Sequence, residues 1–87
     1  PYGVRLTVEK LKRVEAAEEI LRGLGFVELR VRHHGPIARI EVAPEEVARL
    51  AQPEVRARVV AGLEGLGYRY VTLDLEGYKR GSLEIRD

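Results

Sequence analysis

Leu29-Arg30-Val31-Arg32-His33-His34-Gly35-Pro36-Ile37-Ala38-Arg39-Ile40-Glu41-Val42 is the stretch whose reading decides the fold. Apolar and polar side chains alternate on both sides of Gly35-Pro36, and a period of two is the pattern of a half-buried strand. The glycine-proline pair between the runs marks a turn, so the stretch reads as an antiparallel hairpin. The alternation reaches back to Phe26: Val27, Leu29, Val31 and His33 fall on one side, with Phe26, Glu28, Arg30, Arg32 and His34 on the other.

Outward from the hairpin the period changes to that of helices. Before it, Val8, Leu11, Val14, Ala17 and Leu21 recur at three- and four-residue spacing behind Thr7, an N-cap residue, which predicts a helix over residues 8–22 stopped by Gly23 and Gly25. After it, Pro44 opens a short helix through Leu50, and Pro53 opens a second carrying Val55, Val59, Val60, Leu63 and Leu66, closed by Gly65 and Gly67. Residues 68–75 alternate again and read as a strand. Leu21-Arg22-Gly23-Leu24-Gly25-Phe26 is echoed by Leu63-Glu64-Gly65-Leu66-Gly67-Tyr68, each a helix end turning into a strand. Two α-then-β units around a hairpin predict an α+β class: a small two-layer sandwich, ferredoxin-like or a truncated ferredoxin-like version, with an antiparallel sheet and helices on one face. Gly3 to Leu6 would supply the extra first strand of the complete version.

Composition narrows the function classes. With 87 residues the chain is one domain, residues 1–87, with one core. An apolar fraction of 45% against 33% charged residues is that of a folded globular protein, and a net charge of +1 with interspersed signs carries no basic or acidic tail. The absence of Cys removes disulfides, thiolate metal sites, Cys nucleophiles and persulfide carriers. No apolar run approaches the roughly 20 residues of a membrane span, and a cytoplasmic protein without membrane contact is expected. Arg and Glu far outnumber Lys and Asp, with no Met, Cys, Trp or Asn, a composition resembling that of thermophile proteins. Pro1 in first place suits a fragment and equally a chain trimmed of its initiator.

If Leu29, Val31, Ile40, Val42, Val71 and Leu73 face the helices, Arg30, Arg32, Arg39, Glu41, Thr72 and Asp74 share the opposite face. Arg30 and Arg32, two apart on one strand, set two guanidinium forks side by side, a geometry suited to phosphate. The competing reading is a solvated face with Glu28 and Glu41 as cross-strand partners. His33 and His34 point to opposite faces, so at most one reaches the polar site; no Cys or third His completes a metal set, and no metal is expected. Glu15, Glu18 and Glu19 are helix-surface carboxylates whose ordinary role is to solvate or to pair with Arg. Leu73-Asp74-Leu75-Glu76-Gly77-Tyr78-Lys79-Arg80-Gly81-Ser82 gathers carboxylates, cations and glycines at a strand end, an anion-gripping loop or a plain exit. Phosphate-loop, nucleophile-elbow, zinc-protease and dinucleotide motifs are missing, which argues against self-contained catalysis.

The run from Leu29 to Gly35 and the block Ile37-Ala38-Arg39-Ile40-Glu41-Val42 resemble a signature of LarE-type ATP-dependent sacrificial sulfur transferases, members of the PP-loop ATP pyrophosphatase superfamily. Pro1-Tyr2-Gly3, Val14-Glu15-Ala16-Ala17-Glu18, Leu24-Gly25-Phe26 and Tyr70-Val71-Thr72-Leu73-Asp74-Leu75-Glu76-Gly77-Tyr78 are similar to the same family, in its order, over nearly the whole chain. The resemblance implies the carboxy-terminal domain of a longer enzyme whose amino-terminal PP-loop domain adenylates a carboxylate with ATP and Mg before sulfur is inserted. In that family the product belongs to nickel-pincer cofactor biosynthesis.

By the matching motif Arg30 and Arg32 are the phosphate-binding arginines and Glu18 a catalytic carboxylate near the substrate, with His33, His34, Arg39 and Asp74 in support. Lys79, which stands where the family carries Arg, is expected as a third phosphate- or substrate-binding residue, without the bidentate fork. The expected partners are the missing PP-loop domain, a nucleotide or phosphorylated small-molecule substrate, and further copies of the chain. Nucleic acid is not expected, since Phe26 and Tyr70 are a thin supply of stacking platforms. The alternatives are a stand-alone ferredoxin-like module binding RNA or a small anion, and a structural oligomerisation domain.

Overall fold

A computed structural model describes residues 7–79, in which α1 (Val8–Gly23), β1 (Leu29–His34), β2 (Ile37–Val42), a 3-10 turn (Pro44–Glu46), α2 (Val47–Leu50), α3 (Pro53–Gly65) and β3 (Tyr70–Leu73) follow one another. Thr7 starts α1, its hydroxyl accepting from the Lys10 amide at 3.2 Å. Prolines occupy the first turns of the 3-10 element and α3, where an amide would have no helical acceptor. Gly35, at φ 56°, allows the two-residue loop that closes the hairpin in the register Arg30 to Glu41 and Arg32 to Arg39.

The two-layer α+β sandwich is present, with a mixed sheet of order β1-β2-β3. β3 pairs with β2 in parallel, Ala38 opposite Val71 and Ile40 opposite Leu73. The reason lies in the connection: α2 and α3 carry the chain back across the sheet, so β3 re-enters in the direction of β2. In the complete ferredoxin arrangement a further strand would separate these two; the Gly3 to Leu6 segment expected to form it lies outside the described residues.

The helices cover the face bearing Leu29, Val31, Ile40, Val42, Val71 and Leu73, as alternation requires, and Leu21, Phe26, Ile40, Val42, Val59 and Leu63 are the large side chains most completely buried there. The expected alternation fails before Leu29. Phe26 is in the core and Val27 is 87% exposed, because this pair belongs to the turn leaving α1 rather than to the strand.

That turn and its echo after α3 have one geometry. Gly25, at φ 95°, donates to the Arg22 carbonyl at 2.9 Å while Phe26 reaches back to Leu21 at 3.2 Å. Gly67, at φ 106°, donates to Glu64 at 2.9 Å while Tyr68 reaches Leu63 at 3.2 Å. These paired bonds are the Schellman ending, which satisfies the last helical carbonyls and needs a residue free to adopt positive φ.

Gly25→Ala and Gly67→Ala are each expected to lower stability by about 1–2 kcal/mol through left-handed strain. Gly23→Ala, at a position where an added methyl meets nothing within 4 Å, should leave stability unchanged or raise it by about 0.5–1 kcal/mol. Urea denaturation of the three variants checks the contrast; equal losses would refute the cap assignment.

Candidate phosphate-binding face

The register sets Arg32 directly opposite Arg39, a like-charge pair that destabilises a bare sheet. Glu41 resolves it. Its Oε2 lies 3.4 Å from Arg32 Nε and 3.4 Å from Arg39 Nη2, and its side chain is only 7% exposed. Asp74 adds a second carboxylate 3.9 Å from Arg39 Nε. Neighbouring Thr72 donates its hydroxyl to the Ala38 carbonyl at 3.0 Å. The face is therefore an ion network held close to the sheet rather than a set of solvated side chains.

Arg30 is treated differently. Its Nη2 donates to the Tyr78 hydroxyl at 3.4 Å and its guanidinium lies 5.4 Å from the centre of that ring, with no carboxylate partner among the described residues. Tyr78 is carried there by a tight turn in which the Glu76 amide donates to Asp74 Oδ1 at 2.9 Å and the Tyr78 amide donates to the Val42 carbonyl at 2.7 Å. Gly77, at φ 85°, is obligatory in that turn: a methyl would stand 2.8 Å from the Val42 carbonyl oxygen. The segment read as either a gripping loop or an exit thus closes onto Arg30, as far as residue 79.

The other expected site residues are spread around this face. Glu18 lies at the β1 edge, where Oε2 accepts the Val31 amide at 3.1 Å and Oε1 is 3.6 Å from Arg22 Nη2. Lys79 is exposed and paired with Glu76 Oε1 at 2.9 Å, a hydrogen bond that, with the Glu76 charge, raises its pKa. The two histidines diverge, as strand geometry requires. His34 is exposed at the hairpin end. His33 turns to the helix layer, its Nδ1 2.9 Å from the Tyr68 hydroxyl and the rings edge to face with centres 5.4 Å apart. Burial lowers the His33 pKa, and the charges of Arg13, Lys10 and His34 lower it further; burial raises the Tyr68 hydroxyl.

Two arginines escaped the sequence reading. Arg49 stacks 3.9 Å over the centre of Phe26, pairs with Glu46 and donates Nη1 to the Leu24 carbonyl at 3.1 Å. Arg13 lies 5.6 Å over Tyr68. The signal was the repeated Gly-aromatic step, which leaves one ring face at each helix end for a cation to cover. Among the described residues no group of His, Asp or Glu side chains is placed to hold a metal ion, and no helix is long and apolar enough to cross a membrane.

No family model matches the chain. It is 50% identical over 84 residues to pyridinium-3,5-bisthiocarboxylic acid mononucleotide synthase of Lactiplantibacillus plantarum, covering 95% of this chain and 29% of that protein. It is 47% identical over 83 residues to the uncharacterized protein slr1717 of Synechocystis, covering 95% of this chain and 31% of that protein. The chain thus spans about three tenths of the length of the curated relatives it matches.

Glu41→Ala would leave Arg32 and Arg39 facing each other, both at or below 20% exposure, and is expected to cost about 3 kcal/mol in guanidinium denaturation. Glu19→Ala, which removes an exposed pair with Arg22, should leave the midpoint in place. His33 binds its proton less readily folded than unfolded. Its contribution to stability is therefore complete above the ordinary value of 6.5 and is lost as pH falls through the lower folded-state value. His33→Gln should flatten that slope in thermal melts between about pH 7.5 and 5.

Proposed function

We propose that the chain is the carboxy-terminal substrate- and phosphate-binding domain of a PP-loop ATP-dependent sulfurtransferase acting on an adenylated carboxylate, of the kind used in nickel-pincer cofactor biosynthesis. The observation that carries this reading is Arg30. On a face where Arg39 and Arg32 are met by Glu41 and Asp74, the guanidinium of Arg30 has, among the described residues, a tyrosine and no carboxylate against it. Half identity over nearly the whole chain to a synthase named for a mononucleotide supports the substrate class, because a mononucleotide carries a phosphate monoester that an arginine fork can grip.

In this reading the chemistry divides between domains. The PP-loop domain holds ATP and Mg and performs adenylation: the substrate carboxylate oxygen attacks the α-phosphorus and pyrophosphate leaves. A thiolate of a sulfur donor outside this chain then attacks the activated carbonyl carbon, a C–S bond forms as AMP leaves, and cleavage of the sulfur's bond to its donor frees the thiocarboxylate. This chain supplies no nucleophile. Arg30, with Arg32 two residues along the same strand, holds the substrate phosphate at a fixed distance from the reacting carbonyl, which lowers the entropic part of the barrier.

Glu18 acts through those arginines. It anchors the amide of Val31, the residue between them, and so fixes the strand segment from which both project. Lys79, tied to Glu76, and the exposed His34 lie at the periphery. The remaining partners in this reading are the PP-loop domain and further copies of the chain.

Two measurements test the proposal. The intact mass of the native protein in its source cells should be well above 9.8 kDa; a species of only that size would leave a stand-alone anion-binding or oligomerisation module. In the longer protein, Arg30→Ala should weaken mononucleotide binding by about ten- to a hundredfold, the loss of a charge-assisted contact of about 1.5–3 kcal/mol, with Arg30→Lys intermediate. Unchanged affinity in Arg30→Ala would refute the assignment.

A further inference from the structure

The two Schellman turns are alike in backbone and in having an arginine against the glycine and over the aromatic ring, but their charge balance differs. An added methyl at Gly25 would meet Arg49 at 3.8 Å, and one at Gly67 would meet Arg13 at 3.6 Å. Arg49 is neutralised by Glu46 and spends a further donor on the Leu24 carbonyl. Arg13 has neither: among the described residues it makes no ion pair, and its one partner is the Tyr68 ring.

Further cations gather beside it. Lys10 lies one helical turn before Arg13 on the same side of α1, and its ammonium has no carboxylate partner among the described residues. His33 touches the same Tyr68 from the strand side through its Nδ1, which leaves Nε2 as the ring nitrogen available to a ligand. His34 follows at the hairpin end. Among the described residues the charges that act on His33 are positive: Arg13 and Lys10 from α1 and His34 from β1, with the Tyr68 hydroxyl as its neutral neighbour. In a chain whose net charge is only +1, such a cluster is locally unbalanced: Glu9, one turn before Arg13 on α1, is a carboxylate at helical spacing and forms no ion pair with it among the described residues.

We propose that the corner where the first turns of α1 meet the end of the β1–β2 hairpin is a second oxyanion site, taking a phosphate-class tetrahedral dianion through Arg13, Lys10 and His33. It lies on the helix layer, on the opposite side of the sheet from Arg30, and does not depend on the role assigned to that residue. The guanidinium and the ammonium supply fixed positive charge, and the imidazole adds a hydrogen bond that strengthens when it takes up a proton. Protonation and dianion binding therefore assist each other, and by linkage a bound dianion raises the proton affinity of His33.

Sulfate is the suitable probe because it stays doubly charged across the histidine range. The His33 ring resonances of the 87-residue chain are followed by NMR from pH 8 to pH 5, in sulfate and in chloride of equal ionic strength. Sulfate is expected to move the His33 midpoint up by about half a pH unit or more relative to chloride. Lys10→Gln, a change at a half-buried position in the first turn of α1, should reduce the shift, and Arg13→Gln should abolish it. Arg30→Ala should leave it intact. Identical midpoints in the two salts would overturn the proposal, as would a shift that survives Lys10→Gln together with Arg13→Gln or that disappears in Arg30→Ala.

Discussion

Two glycines at positive φ, Gly25 and Gly67, are the constraint on which the architecture rests. Each ends a helix by folding the next amides back onto its last turn, and each thereby swings an aromatic ring into the space between layers. Phe26 and Tyr68 are 2% exposed, and both strands that follow take their direction from these anchored rings. Were either helix to run on, the ring would leave the core and the strand after it would lose its register with β2. Stability in a domain of this size is a small difference between large opposing contributions, so the loss of one such anchor reaches the whole sheet.

The alternation in residues 29–42 made the hairpin, its register and its two faces legible, because a buried sheet face enforces a period of two. Pro44 and Pro53 likewise located the helix starts. The echo between residues 21–26 and 63–68 was legible as a repeat, yet the strand before Leu29 was drawn too long. Val27 continues the alternation in sequence but follows a glycine whose conformation has already turned the chain. The parallel entry of β3 could not be read from local pattern at all, since strand direction depends on where the preceding helices pack. The site was half legible. Parity gathered Arg30, Arg32, Arg39, Glu41 and Asp74, but which arginine would keep its charge uncompensated depends on distances of a few tenths of an ångström between long side chains.

The polar face shows how a sheet tolerates opposed arginines. A single carboxylate, nearly out of solvent, lies within reach of both, and its attraction grows as water is excluded. The same exclusion makes the arrangement brittle, because removing Glu41 takes the shared carboxylate from two opposed cations whose desolvation has already occurred. Arg30 avoids that dependence by resting on Tyr78, a neutral partner that orients the guanidinium without cancelling its charge.

Glu18 has a consequence beyond the ligand face. Among the described residues β1 borders the sheet, and an edge strand offers outward amides on which another chain can template itself. The Glu18 carboxylate already occupies the outward amide at the middle of that edge, and Arg22 braces it. A foreign strand arriving there would meet a negative charge where it needs to place a carbonyl. The helix that completes the core thus also acts as a guard against amyloid-like growth along β1.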